Sequence, residues 1–114
     1  DMVIRSAPSR NNQKIAIIQA IDRKIALDEI AESRGIEFED LLDEIESIVD
    51  SGNKINISYY ISEILDDDQQ QEIFDYLREG ESDDITEAVR HFGDEYTEDE
   101  LRLMRVKFLS ELGN

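Results

Sequence analysis

The sequence contains no cysteine, no tryptophan and a single proline among 114 residues. Without cysteine, neither a disulfide framework nor a thiolate metal site can form. No apolar run approaches the roughly 20 residues that a membrane-spanning helix needs, and no apolar segment typical of a signal peptide is present. We therefore expect a cytoplasmic protein.

Catalytic motifs are missing as well. The chain has no Gly-rich phosphate loop or dinucleotide fingerprint, and its only histidine, His91, is predicted to face solvent. Asp66, Asp67 and Asp68 lack the alternating spacing of a calcium loop and are interpreted as capping the helix that follows. Carboxylate pairs are expected by chance in a chain with 29 acidic residues. The sequence predicts no enzymatic activity for this fragment and no catalytic, cofactor-binding or metal-binding residue.

The charge is strongly negative and unevenly distributed. The net charge is −17, yet residues 37–100 alone carry −20, and the flanking segments 1–36 and 101–114 carry +1 and +2. A region this acidic repels phosphate and does not supply the electrostatic footprint of a nucleic-acid site. Because apolar residues recur regularly through it, we expect a folded surface and not a disordered tail.

Apolar spacing predicts a linker followed by one helical domain. Residues 1–12 contain Pro8 and are interpreted as a linker from an upstream domain. Residues 13–114 are predicted to form a single domain, with a helix-turn-helix core at 13–65 and C-terminal helices at 66–114. Predicted helices cover Gln13–Asp22, Leu27–Arg34, a stretch from Phe38 to Val49, a short segment after Ser58, Gln69–Glu79, Ile85–Phe92 and Glu98–Leu112. The residues Thr97–Glu100 are predicted to form a capping box that opens the last helix. The fold class is all-α and winged-helix-like, with Lys54–Ile57 as at most a minimal β-wing.

The segment Leu27–Gly52 has the pattern of a helix-turn-helix. Ala31 precedes the turn glycine Gly35 by four positions, Ile36 follows it, and Leu41 and Ile45 recur at helical spacing. In DNA readers the second helix of such a pair enters the major groove. Here its outward positions carry carboxylates, which we interpret as a candidate partner-binding face: Glu37, Glu39, Asp40, Asp43 and Glu46.

Basic residues are few and lie mainly near the two ends of the chain. Linker and helix-terminal cations are explained by solvation and by the helix dipole, so they are only auxiliary candidates for nucleic-acid contact. These candidates are Arg5, Arg10, Lys14, Arg23, Lys24, Arg102, Arg105 and Lys107. The last helix also carries more apolar surface than one face needs, which predicts deep packing or a shared interface with a partner domain or a second copy.

Several stretches together resemble the helix-turn-helix module at the C-terminus of RecQ-family ATP-dependent DNA helicases, in particular the longer bacterial ones of the Bacteroides group. The resemblance is carried by DEIA-x3-G-I, SG-x-KINI-x-YYI, FGDEYTEDELRLMR and KFLSELGN. It implies a parent enzyme that unwinds DNA in recombination and repair and is associated with the nucleoid. ATP, magnesium and zinc would bind in upstream helicase domains, from which residues 1–12 would be the linker. It implies no small-molecule substrate and no membrane for this fragment, with the helicase domains or other proteins as partners and DNA bound through the parent.

Three functions remain open at this stage. The first is an accessory helicase module that contacts proteins or modulates unwinding. The second is a regulatory or dimerisation domain of a transcription factor, which predicts a dimer through the last helix. The third is an acidic DNA mimic that occupies the helicase's own basic groove.

Overall fold

A computed structural model of the chain describes residues 10–80 and 84–112. Within those ranges the chain forms seven α-helices and a short 3₁₀ turn, and no strand occurs. The helices are α1 (Arg10–Asp22), α2 (Leu27–Arg34), α3 (Phe38–Asp50), α4 (Ser58–Ile64), α5 (Asp67–Glu79), α6 (Ile85–Phe92) and α7 (Glu98–Leu112). The predicted all-α class is confirmed.

The turn between α2 and α3 has the predicted geometry. Gly35 adopts a left-handed conformation with φ 71°. The Gly35 N–H donates to the Glu32 carbonyl at 3.1 Å, and the Ile36 N–H donates to the Ala31 carbonyl at 3.1 Å. These two bonds form a Schellman motif, which satisfies the last carbonyls of α2 and turns the chain into α3.

The same ending recurs on α1, but with a lysine in place of glycine. Lys24 has φ 62° and is the only non-glycine residue with positive φ in the described ranges. Its N–H donates to the Ile21 carbonyl at 2.8 Å, and the Ile25 N–H donates to the Ala20 carbonyl at 3.1 Å. A side chain is strained in this conformation, so the end of α1 stores conformational energy.

The start of α1 lies earlier than predicted. The helix begins at Arg10, three residues before the predicted Gln13. Residues 1–9 of the predicted linker lie outside the described residues, and its last three residues, 10–12, are helical.

The segment Lys54–Ile57 is not the β-wing that alternation suggested. Ile55 and Ile57 are buried, so the alternating pattern is real, but no neighbouring strand is described to pair with the segment. The Ile55 N–H instead donates to Ser110 Oγ on α7 at 3.4 Å, and Asn56 Oδ1 accepts from the Ser58 N–H at 2.9 Å. The loop is therefore held against a helix and not within a sheet.

The last helix lies at the centre of the molecule. α7 packs against α3, α4, α5 and α6. Its buried apolar residues are Leu101, Leu103, Met104, Val106 and Phe108. This packing accounts for the surplus apolar surface noted in the sequence. It also uses most of the surface from which a dimer was predicted.

A capping box opens α7, as predicted. The Glu100 N–H donates to Thr97 Oγ1 at 3.1 Å, and Glu100 Oε1 accepts from the Thr97 N–H at 2.8 Å. A second box, formed by Asp66 and Gln69, opens α5. Both satisfy backbone donors that a helix start leaves unpaired.

Candidate functional site

The exposed surface of α3, the second helix of the helix-turn-helix, consists of carboxylates. Its exposed residues are four acids: Glu39, Asp40, Asp43 and Asp50. Its apolar stripe is buried against α1, α2 and α7, and comprises Leu41, Leu42, Ile45, Ile48 and Val49. In DNA-binding proteins of this architecture, the helix that corresponds to α3 reads the DNA. Here α3 is covered by three helices, and its solvent-exposed part is acidic.

Arg102 of α7 forms ion pairs with two acids of α3, the exposed Asp43 and the less exposed Glu46. Arg102 is only 8% exposed to solvent. Nε lies 3.0 Å from Glu46 Oε2, and Nη2 lies 2.9 Å from Glu46 Oε1 and 2.6 Å from Asp43 Oδ1. The hydrogen bonds with Glu46 raise the pKa of Arg102 against the opposing effect of burial. Such a fork on a carboxylate fixes the relative position of two helices.

A like-charge contact lies one turn away. Burial raises the pKa of Asp99, and the neighbouring carboxylate of Glu39, which hydrogen bonds with it, raises it further, while Arg102 lowers it. Arg105 lies at 4.0 Å from Asp50, a distance of weak attraction at a surface. The interface between α3 and α7 therefore contains both attractive and repulsive pairs.

The structure divides the predicted acidic face. Asp43 and Glu46 point to Arg102, and Glu39 points to Asp99. Glu37 and Asp40 are exposed and are not part of those pairs. The five acids thus lie on the predicted helix and its N-terminal cap, but they do not form one uniform free surface.

The predicted basic residues that the structure describes lie on or just after α1 and on α7, and both helices contact α3. Lys14 of α1 donates to Ser47 Oγ at 2.9 Å, and Lys107 of α7 donates to Gln70 Oε1 at 3.1 Å. Arg23 and Lys24 are exposed at the end of α1. Arg5 and the side chain of Arg10 lie outside what the structure describes. Of the described cations, Lys14, Lys107 and Arg102 are thus already hydrogen bonded to side chains of this chain.

His91 and Tyr59, two other side chains that could take part in chemistry, make packing or hydrogen-bond contacts within the fold. His91 is exposed and stacks on Tyr76 with ring centroids 4.4 Å apart. Tyr59 donates from its hydroxyl to the Ile25 carbonyl, and burial raises its pKa to about 12. Within residues 10–80 and 84–112, no cluster of three or more His, Cys, Asp or Glu side chains could hold a metal ion. Over the same ranges no helix is long and apolar enough to cross a membrane.

One groove was not found by sequence reasoning. It is a shallow, open groove of about 330 Å³ between the N-terminal parts of α3 and α7 and the α4 helix. Its lining residues, which define what we call the Phe38 groove, are Phe38, Tyr60, Ile64, Thr97, Asp99, Glu100 and Leu103. The rings of Phe38 and Tyr60 lie 6.2 Å apart. Burial raises the pKa of Tyr60, and so do the nearby carboxylates of Asp28, Glu63 and Asp99.

Residues 11–61 match a family model described as RecQ-1-like, helix-turn-helix domain. The match covers most of α1, all of α2 and α3, and the start of α4, which is less than half of the chain. It supports a RecQ-type helix-turn-helix in that part of the chain. Among curated proteins, none matches.

Proposed function

We propose that this chain is an accessory module at the C-terminus of a RecQ-family ATP-dependent DNA helicase, of the kind found in the Bacteroides group. By itself it is non-catalytic. It contacts other proteins or the helicase's own domains and modulates unwinding, and any contact of its own with DNA is auxiliary. ATP, magnesium and zinc belong to other domains of the parent. The family-model match over residues 11–61 supports the helicase setting.

The observation that carries the protein-contact role is the acidic exposed surface of α3. Base readout needs side chains such as Arg, Lys, Asn or Gln at the groove. Four exposed carboxylates at that place would repel the phosphate backbone and cancel the counterion release that drives DNA binding. The packing of α7 beside α3 also narrows the approach of a duplex. The helix-turn-helix scaffold is therefore better suited to protein contact than to DNA reading.

Titration of the 114-residue chain with labelled duplex and forked DNA tests this role. We expect only weak binding at physiological salt, with a dissociation constant of about 10 μM or weaker, in the range of non-specific contacts. A matched variant removes two exposed charges by Glu37→Gln and Asp40→Asn. If charge is what opposes DNA, this variant binds more tightly than the parent chain. Sub-micromolar, salt-sensitive binding by the unmodified chain would overturn the proposal.

The helicase setting has its own test. The gene upstream of Asp1 is expected to encode Walker A and Walker B motifs and a four-cysteine zinc cluster. The unwinding rate of the complete protein is expected to change when residues 13–114 are removed. An upstream region without these motifs would contradict the helicase assignment and leave the charge argument about α3 standing.

A further inference from the structure

The Phe38 groove combines exposed apolar side chains with a surrounding ring of acids. Ile64 is 39% exposed, and Phe38 and Tyr60 are partly exposed above the buried Leu103. In the described ranges the only other large apolar residues with this much exposure are Ile15 and Leu112, on other helices. Apolar side chains that converge from three helices around a concavity are typical of a docking site for another chain.

The charge around the groove has one sign. Asp99 and Glu100 line it, and Asp28 and Glu63 lie close enough to influence the Tyr60 hydroxyl. No lysine or arginine is among its lining residues in the part of the chain that the structure describes. The cation that acts on Asp99 is Arg102, which is already bound by Asp43 and Glu46. The groove therefore presents apolar contact area inside a negative field.

We propose that the Phe38 groove binds a basic segment of a partner protein, one that places a large apolar side chain in the groove with lysine or arginine on either side. The apolar side chain would cover Phe38, Tyr60 and Ile64. The flanking cations would pair with the acidic rim, which also speeds their encounter. Such a cation next to Asp99 and Glu39 would relieve the repulsion between these two carboxylates.

Charge complementarity selects this occupant over the others. A nucleic acid or an anionic membrane would meet the acidic rim with charge of the same sign. A second copy of a chain with net charge −17 would add like charge to the same place. The proposal deepens the protein-contact role proposed above and rests on it for its biological setting only, because the groove itself belongs to this chain.

Binding is tested with the full chain and a panel of short synthetic peptides. Each peptide carries one leucine, phenylalanine or methionine with lysine or arginine on either side, and each has a counterpart with glutamate in place of the basic residues. Backbone amide shifts of the labelled chain give the affinity and the location. We expect the basic peptides to shift residues of the groove, binding to weaken as salt is raised, and the glutamate counterparts not to bind.

Four variants separate groove binding from general attraction to an acidic protein. Ile64→Ser is expected to weaken binding about fivefold or more, because about 1 kcal/mol of apolar contact is lost. The double variant Glu39→Lys and Glu63→Lys is expected to weaken it about tenfold, because both residues are exposed acids next to the groove, Glu39 beside Asp99 and Glu63 near Tyr60. Ile15→Ser, and Glu79→Lys with Glu87→Lys, are matched changes at exposed positions outside the groove. These two controls are expected to change affinity less than twofold.

Three results would overturn the proposal. One is that no basic peptide in the panel shifts the groove residues at millimolar concentration. Another is that the control variants weaken binding as much as the groove variants, which would make the attraction nonspecific. The third is a dimer in sedimentation that Ile64→Ser dissociates, which would assign the groove to a second copy. The groove inference can fail while Walker motifs are found upstream, and it can hold when they are absent, so the two proposals are tested separately.

Discussion

At the scale of single residues, the position of Arg102 matters most. The side chain reaches from α7 to two carboxylates on α3 and is nearly excluded from solvent, with 10% of its side chain exposed. A buried ion that loses its partner keeps its desolvation penalty, so removal of one partner is destabilising even where the pair itself contributes little. The Arg102 interaction thus links stability to the packing of the last helix on the helix-turn-helix.

We predict that Arg102→Ala lowers the free energy of unfolding by about 2–4 kcal/mol, because Glu46 then remains largely buried without its counter-ion. The matched control is Arg78→Ala, which breaks an ion pair with Asp75 whose side chains are 58% and 40% exposed. That change is expected to lower stability by about 0.5 kcal/mol or less. Urea denaturation measures both. If Arg102→Ala fails to fold, Arg102→Lys should give an intermediate loss, and equal effects at the two arginines would contradict the prediction.

The Asp99 carboxyl makes the free energy of unfolding dependent on pH. Its pKa is raised by burial and by Glu39. The folded state therefore keeps this proton at pH values where the unfolded state has lost it. That contribution to stability is complete in acid and is lost as the pH rises through the folded-state pKa.

Asp99→Asn is accordingly predicted to raise the free energy of unfolding at neutral pH by about 0.2–0.5 kcal/mol, the size of a like-charge contact. The difference from the parent chain should vanish in acid, which thermal unfolding across pH will show. Asp68→Asn is the matched control, since Asp68 is an exposed aspartate in the first turn of α5. It should be neutral or slightly destabilising, because only a favourable dipole contact is removed. If both variants were stabilised, the gain from Asp99→Asn would not be due to relief of the repulsion by Glu39.

At the scale of elements, the first three helices end in the same backbone arrangement. Each of these helices is followed by a residue with a left-handed backbone conformation, which is Lys24 after α1, Gly35 after α2 and Gly52 after α3. A Cβ placed on Gly35 or Gly52 would meet nothing within 4 Å. The energetic difference between glycine and any other residue at these positions is therefore conformational and not a matter of space.

We predict changes of opposite sign at two of these positions. Lys24→Gly should raise the free energy of unfolding by about 0.5–1 kcal/mol, because relief of the left-handed strain exceeds the added entropy of the unfolded chain. Gly35→Ala should lower it by a similar amount, about 0.5–1 kcal/mol. Chemical denaturation of both variants is the measurement. Lys24→Ala separates strain from charge, because it removes the ammonium and keeps the strain; a gain from Lys24→Ala as large as that from Lys24→Gly would show that charge is responsible.

At the scale of the whole molecule, α7 connects the helix-turn-helix with the C-terminal helices, and we expect the two parts to unfold as one cooperative unit. The helix contacts α3 and α4 of the helix-turn-helix core and α5 and α6 of the C-terminal part. Removing it would expose apolar residues on both sides. We therefore expect the stability of the core at 13–65 to depend on the C-terminal helices at 66–114, although the two parts are convenient to describe separately.

A fragment of residues 10–65 is therefore predicted not to unfold cooperatively. Circular dichroism on heating should show a shallow, non-cooperative loss of helix, and amide spectra should be poorly dispersed. The control is a chain that lacks residues 1–9 and keeps everything else, which should unfold as sharply as the complete chain. A fragment 10–65 that unfolds cooperatively with comparable stability would show that the helix-turn-helix is a domain in its own right.

Much of the local structure could be predicted from the sequence, because local signals specify it. α2, α6 and α7 have the predicted bounds, and the turn at Gly35 and the capping box at Thr97 were recognised from residue type and spacing. The β-wing was the error. Alternating burial of Ile55 and Ile57 was read as a strand, but the same alternation also fits a loop pressed against a helix.

The sites depended on contacts between distant parts of the chain. Phe38, Ile64 and Leu103 lie on three helices, so nothing in their local patterns indicated a shared groove. Arg102 was proposed as a nucleic-acid contact because α7 looks basic in sequence. The structure places its guanidinium between Asp43 and Glu46, 59 and 56 positions away in the chain.

The sequence by itself determined the helical class, the bounds of α2, α6 and α7 and the acidic character of α3, because helix periodicity, capping and charge are properties of short segments. Tertiary structure alone decided what those charges face. Burial of α7 turned Arg102 inward, brought Asp99 beside Glu39 and left an apolar groove with an acidic rim at Phe38. The physical reason is that burial and electrostatic pairing depend on which surfaces meet, and the charged partners on α3 and α7 are separated by more than fifty residues of chain.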